Sequence, residues 1–173
     1  MLFSISKVFE KHFCNQLILT NKTNILHSRQ SGFRKGHSCQ TALLHIVNKW
    51  ATELDKGNMV GTFFLDLSKA FDFVNHDLLL KKLAVYHFSQ HSIERFKSYL
   101  RNRKQLVQID NVRSSFEVIK TGLPQGSQLG PLMFLLFIND LPLYLHHSST
   151  DMYADDCTLY TSDISVSNLE TIL

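Results

Sequence analysis

Cysteine, proline and tryptophan are scarce in this chain of 173 residues, which carries three, three and one of them. Cys14, Cys39 and Cys157 are odd in number, far apart and free of any C-x-x-C pair. That excludes a disulfide framework or zinc site as a reading and fits a reducing, intracellular setting. Long apolar runs are also missing: the longest, Pro131 to Ile138, falls far short of the ~20 residues that span a bilayer. The N-terminus has no basic segment leading into an apolar one, so the reading is a soluble, untargeted chain with no membrane partner. Charge is modest, at 19% of residues and a net +3, which permits a nucleic-acid partner without demanding one. What is plentiful is hydrophobic side chain, 44%, with 11% aromatic, enough for one sizeable core and a small second lobe. No internal repeat, low-complexity tract or linker interrupts it.

Ile5, Val8, Phe9, Phe13 and Leu17 recur at helical spacing over 4–19, and Ser38 is placed to cap a second helix carrying Leu44, Val47, Trp50, Ala51 and Leu54 until Gly57 stops it. Both read as packing helices. Met59 to Leu65 is an almost wholly apolar run that reads as a buried strand delivering Asp66 at its C-terminal end. Asn75 is placed to cap a helix running to about Tyr86, and Ile93, Phe96 and Leu100 mark another. Arg95, Lys97, Arg101, Arg103 and Lys104 make that region basic, read equally well as a solvated face or a nucleic-acid contact. Leu106 to Ile109 and Phe116 to Ile119 predict a hairpin around the turn Asp110 to Ser115. A glycine-punctuated stretch, Gly122 to Gly130, leads into an apolar helix over 131–139. Thr150 to Tyr153 and Cys157 to Tyr160 predict two short strands joined at Ala154, Asp155 and Asp156.

Two adjacent carboxylates at a tight turn between apolar strands repel unless a cation or proton intervenes. A magnesium ion, which takes oxygen ligands from one or two carboxylates plus substrate phosphates, is the natural candidate. Asp66 at another strand end would complete a set able to hold two divalent ions ~3.5–4 Å apart, the hardware of nucleotidyl transfer. Taken alone, Asp155 and Asp156 read more readily as ordinary turn residues.

The surrounding residues decide between the two. Phe64-Leu65-Asp66-Leu67-Ser68-Lys69-Ala70-Phe71-Asp72 resembles the first catalytic motif of reverse transcriptases. Gly122-Leu123-Pro124-Gln125-Gly126-Ser127, running on to Ile138-Asn139-Asp140-Leu141-Pro142, resembles the next major motif, and Tyr153-Ala154-Asp155-Asp156 the polymerase signature turn. Gln30-Ser31-Gly32-Phe33-Arg34-Lys35-Gly36-His37-Ser38 is similar to the fingers motif of non-LTR retrotransposon and group II intron enzymes, with Lys35 where the family commonly has proline. Four motifs in order identify the chain as a member of the LINE-type branch.

That resemblance implies an α/β fold of the α+β type: a polymerase palm at 59–173, with an antiparallel sheet backed by helices, after a partial helical fingers lobe at 1–58. It implies that Asp66, Asp155 and Asp156, with the Leu67 carbonyl, bind two Mg²⁺ ions, Mn²⁺ being a substitute. Phe71 is implied as a gate against a ribose 2′-hydroxyl, Gln125 and Gly126 as lining of the nucleotide pocket, and Arg34 as a clasp on the triphosphate. Partners would be an RNA template with a DNA primer and deoxynucleoside triphosphates. Asp72, Asn75 and His76 read as loop and helix-cap structure, the other histidines as satisfied or solvated, and Cys157 as a small buried residue. Both ends look truncated, with thumb and endonuclease domains expected in a parent polyprotein. A catalytically inactive relic that binds nucleic acid or protein weakly is the rival reading, and an RNA-templated RNA polymerase, against which Phe71 counts, is a third. The palm model requires Asp66 within about 10 Å of Asp155, on an adjacent strand.

Overall fold

The computed structural model describes residues 4–19, 25–145 and 147–172. Its elements follow the chain as α1 (Ser4–Leu19), α2 (Cys39–Asp55), β1 (Met59–Asp66), α3 (His76–Val85), α4 (Gln90–Leu100), β2 (Lys104–Gln105), β3 (Gln108–Ile109), β4 (Val112–Arg113), β5 (Glu117–Val118), α5 (Leu129–Ile138), a 3₁₀ turn (Leu141–Tyr144), β6 (Ser149–Tyr153), β7 (Asp156–Asp163) and α6 (Val166–Ile172). The main sheet is antiparallel in the order β1-β7-β6. The core lies where α3, α4 and α5 pack together and against one face of it: Val74, Leu79, Leu83, Phe96, Leu100 and Met133 are fully buried, and the cross-strand pair Met152 and Cys157 meets them from the sheet. The fold is α+β, as expected. Local chemistry sets the helix starts: Ser38 and Thr41 make a reciprocal capping box on α2, and the Asn75 side chain accepts from Leu78 N–H on α3.

Three expectations need correcting. β1 is an edge strand, not a buried one: Phe63 and Phe64, which point to opposite faces of the sheet, are 50% and 70% exposed. An unbroken apolar run suits burial on both faces, but at the sheet edge no residue of this strand is fully buried. The two N-terminal helices are turned away from their expected stripes. α2 faces inward with Ala42, Ile46, Trp50 and Glu53, leaving Leu44, Val47, Ala51 and Leu54 exposed. α1 packs through Glu10, Phe13 and Cys14 while Ile5, Val8 and Phe9 face out; the side chain of Leu17 lies outside the described residues. A buried acid fixes that orientation: Glu10, 4% exposed, accepts from Tyr99 Oη–H (2.9 Å) and from Gln128 N–H (2.6 Å) at the start of α5. Finally, the expected hairpin is a nested arm, β2 pairing β5 and β3 pairing β4, whose loop is only Asp110 and Asn111. Asp110 accepts a φ of +52°, so the short turn is available to it.

Candidate active site

β6 and β7 pair up to Tyr153 and Asp156, leaving Ala154 and Asp155 as a two-residue loop. Such hairpins need a positive φ at the first loop position, and Ala154 supplies it at +60°. Glycine does this freely, whereas alanine is strained by about 1–2 kcal/mol. The surroundings hold it there. Gln30, 1% exposed, accepts from Ala154 N–H (2.9 Å) and Gly32 N–H (2.7 Å) and donates to the Ala154 carbonyl (3.1 Å). The same segment lies along β6, with Ser31 N–H donating to Met152 O (2.8 Å) and Met152 N–H to Arg29 O (2.9 Å).

β1 lies beside β7 in a register that pairs Asp66 with Asp156. Directly paired antiparallel residues have Cα atoms about 4.5–5.5 Å apart. Asp66, Asp155 and Asp156 are thus gathered at one end of the sheet, with Asp66 and Asp156 exposed and Asp155 half-buried. Cys157, next along the chain, is 2% exposed and points into the core. Burial pushes its thiol up to about 11, and the charges of Asp156 and Asp155 add to the rise, so it is no nucleophile.

Elsewhere on the sheet, carboxylates have protein partners. Asp151 accepts from Tyr160 Oη–H (2.8 Å) and lies 3.5 Å from Arg29 Nη1, and Asp163 accepts from Ser165 N–H (2.8 Å) and Asn168 (3.0 Å). No described residue gives a hydrogen bond or ion pair to the carboxylates of Asp66, Asp155 or Asp156. Lys82 borders an apolar cavity of about 630 Å³ together with Asp66, yet it is committed to Asp140 (2.5 Å) and the Phe137 carbonyl (2.6 Å). Among the described residues no three His, Cys, Asp or Glu side chains are drawn tightly enough to cage an ion. A closed cage is not what a hard divalent cation needs, because carboxylates supply only part of its shell and water and phosphate oxygens the rest. Carboxylates gathered at adjoining strand ends, with no partner among the described residues, fit that donor set.

The other expected residues are distributed as follows. The Leu67 carbonyl accepts from Ala70 N–H (3.0 Å) and keeps a second lone pair. Phe71 stacks on Phe134 at 4.3 Å between centroids and meets Phe33 edge-on at 6.2 Å, so it belongs partly to the core. Gln125 and Gly126 occupy an exposed turn closed by Ser127 N–H donating to Pro124 O (3.2 Å), with Gly126 at φ +73° as a type II turn requires. That stretch is tied to the Asp66 motif through Leu123 N–H to Phe71 O (2.9 Å) and Gly122 N–H to Val74 O (2.8 Å). Arg34 does not reach the carboxylates. One nitrogen of its guanidinium donates to the carbonyls of Gln30 (2.8 Å) and His27 (3.1 Å) and staples its own loop. His76 is buried against the Gly122 carbonyl (2.7 Å), a structural role. In the basic region, Arg95 and Arg103 lie over Phe13 and Tyr99, and Arg101 and Lys97 pair with Asp77 and Glu94. Gln30 has no place in the site as read from sequence. Its partners at Ala154 lie 124 positions away, and its one local hint is its position two residues before a glycine.

Comparison with known proteins agrees with this geometry. The family model "Reverse transcriptase (RNA-dependent DNA polymerase)" matches residues 2–173. The chain is 34% identical over 172 residues to the "Probable RNA-directed DNA polymerase from transposon BS" of Drosophila melanogaster, covering 94% of this chain and 19% of that protein. It is 36% identical over 143 residues to the "RNA-directed DNA polymerase from mobile element jockey" of Drosophila funebris, covering 82% of this chain and 16% of that one. In fold it resembles apo telomerase from Candida Tropicalis, with a TM-score of 0.66 at 14% identity over 91% of this chain and 35% of that one. The chain therefore spans about a fifth of the length of the curated relatives it matches. With the motifs in order, the antiparallel sheet and the family match across nearly its whole length, the chain belongs to the reverse transcriptase family, in the branch of the non-LTR retrotransposons.

Proposed function

We propose that this chain is the fingers (1–58) and palm (59–173) part of an RNA-directed DNA polymerase, extending a DNA primer on an RNA template with deoxynucleoside triphosphates. The observation that carries the reading is the meeting of Asp66 with Asp156, beside Asp155, at a sheet end where no described residue pairs with any of the three carboxylates. Asp66, Asp155, Asp156 and the Leu67 carbonyl would hold two divalent ions, Mg²⁺ by the hardness of the donors and Mn²⁺ as its substitute. When bound, such ions activate the primer 3′-hydroxyl and steady the charge developing on the phosphates. The chain's own side chains do the rest. Phe71, braced by Phe134, closes the floor beneath the sugar and excludes a 2′-hydroxyl. The Gln125 amide bonds sugar or phosphate, and Gly126 lets the backbone come close to the nucleotide. The donors of Arg34 not spent on its loop would be the ones left to clasp the triphosphate. A thumb and an endonuclease domain would belong to the parent polyprotein.

Primer extension on an RNA template with Mg²⁺ and deoxynucleotides tests this, using the native chain, its Asp155→Ala variant and a polypeptide extended to the length of the relatives. Extension that Asp155→Ala abolishes supports the reading. Activity only in the extended polypeptide marks the chain as a catalytic fragment, and silence in both favours an inactive relic. Ribonucleotide incorporation at the deoxynucleotide rate would instead favour an RNA polymerase. Phe71→Ala should lower discrimination against ribonucleotides by about tenfold or more, read as the ratio of kcat/KM values.

A further inference from the structure

The signature turn is held from outside by the fingers segment, at atoms that take no direct part in the chemistry. Gln30 sits at 1% exposure with every polar atom of its side chain directed at backbone: Oε1 accepts from Ala154 N–H and Gly32 N–H, and Nε2 donates to Ala154 O. Ala154 is the residue with φ +60° that gives the turn its shape, and Asp155 follows it directly. Gly32 closes the same contact by proximity. A Cβ there would overlap Ala154 N and lie 2.8 Å from its Cα and 2.9 Å from its Cβ, so any larger residue must push the loop and the turn apart. Backbone bonds from Arg29 and Ser31 to Met152 anchor both partners in one short parallel bridge.

We propose that Gln30, with Gly32 pressed against Ala154, is a positioning device for the polymerase site: it fixes the backbone at Ala154 and so sets where the Asp155 carboxylate points. The inference rests on the reading given under Proposed function. Gln30 touches no reacting atom in this arrangement and acts through the turn. Groups that orient a metal ligand from behind usually matter about 10–100-fold for metal affinity or activity when removed. A displacement of about 1 Å at a reacting group can cost ~10²-fold in rate.

The experiment compares the native chain with Gln30→Leu, Gln30→Glu, Gly32→Ala and Asp155→Ala. Binding of Mn²⁺ alone is followed by electron paramagnetic resonance, and primer extension is followed in the extended polypeptide. Gln30→Leu fills similar space with no donor or acceptor, whereas Gln30→Glu keeps an oxygen that can accept from Ala154 and Gly32. The expected result is a loss of about 10–100-fold in Mn²⁺ affinity and in kcat for Gln30→Leu, with the nucleotide KM within about twofold. Gln30→Glu should recover much of the loss, and Gly32→Ala should resemble Gln30→Leu although it removes no side-chain bond. A purely space-filling Gln30 gives the opposite order, with leucine the better replacement because it buries no charge, and that result overturns the inference. So do native affinity and kcat in a folded Gln30→Leu. Should Gln30→Leu fail to fold, the Glu and Gly32→Ala variants decide by the same readouts. If the native chain shows no Mn²⁺ binding that Asp155→Ala removes, the functional reading itself falls and the inference falls with it, an outcome distinct from equal binding by native and Gln30 variants.

Discussion

At the Met59–Asp163 end of the β1–β7 ladder, Glu53 accepts from Lys56 (2.6 Å), Asn58 (2.8 Å) and Ser162 (2.9 Å), while at the other end Asp66 faces Asp156 with no described residue donating to either carboxylate. The hydrogen bonds from Lys56, Asn58 and Ser162 hold the Glu53 carboxyl down at about 2, against an ordinary 4.5. The contrast separates two uses of acid on one sheet. Carboxylates that serve the fold are paired within the chain, and those at the open end have no partner among the described residues. Placing like charges on adjoining strands without such partners is destabilising, a cost that the proposed binding of divalent cations would offset.

The comparison breaks most visibly through activity. Asp66→Ala or Asp155→Ala should reduce primer extension by about a thousandfold or more, since an ion's charge stabilisation is worth several kcal/mol and each ~1.4 kcal/mol is tenfold. The same variants should melt no lower than the native chain in the absence of divalent ions, because a repulsion is removed. A large fall in melting temperature would mean that these carboxylates serve the fold after all. Next in size, Asp151→Ala should destabilise the chain by about 1–3 kcal/mol in denaturant titration, because it strands the buried Tyr160 hydroxyl and removes the carboxylate beside Arg29, which keeps only its contact with His45. Nucleotide KM should be the measure least affected.

The smallest effect sharpens the closed end. A carboxyl whose folded pKa lies below its unfolded value contributes stability that is fully present above the unfolded value and is lost as pH falls through the folded one. For Glu53 that window runs from about 4.5 down to about 2. Glu53→Gln should therefore flatten the acid limb of melting temperature against pH within that range, lowering stability slightly at pH 7 and converging with the native chain near pH 2. Solvent screens this site, so the change is modest. An unaltered acid limb would show that Glu53 is not one of its sources.

Where residues act locally, the chain is readable from its letters. The caps at Ser38 and Asn75, the glycine stop after α2, the strand ending in Asp66 and the turn at Ala154–Asp155 each depend on neighbours within a few positions. The rest depends on distant partners. Nothing near Glu10 foretells that it is buried against Tyr99 and the start of α5, and that burial is what turns Ile5, Val8 and Phe9 outward. Gln30 reads as one polar residue in a motif until Ala154 is set beside it. Arg34 shows the converse: the motif points to a triphosphate clasp, while part of its guanidinium is spent on the carbonyls of its own loop. The arm over 104–118 differs again, because its strands are exposed and too short for burial to fix a register.

The most direct measurement is paramagnetic broadening by Mn²⁺ in amide NMR spectra of the native chain. The account predicts that substoichiometric Mn²⁺ broadens the amides of 65–68 and 153–158 first, sparing 59–61 and 161–163 at the closed end, and that Asp155→Ala abolishes this pattern. Broadening centred on the Glu53 end, or persisting unchanged in Asp155→Ala, would contradict it.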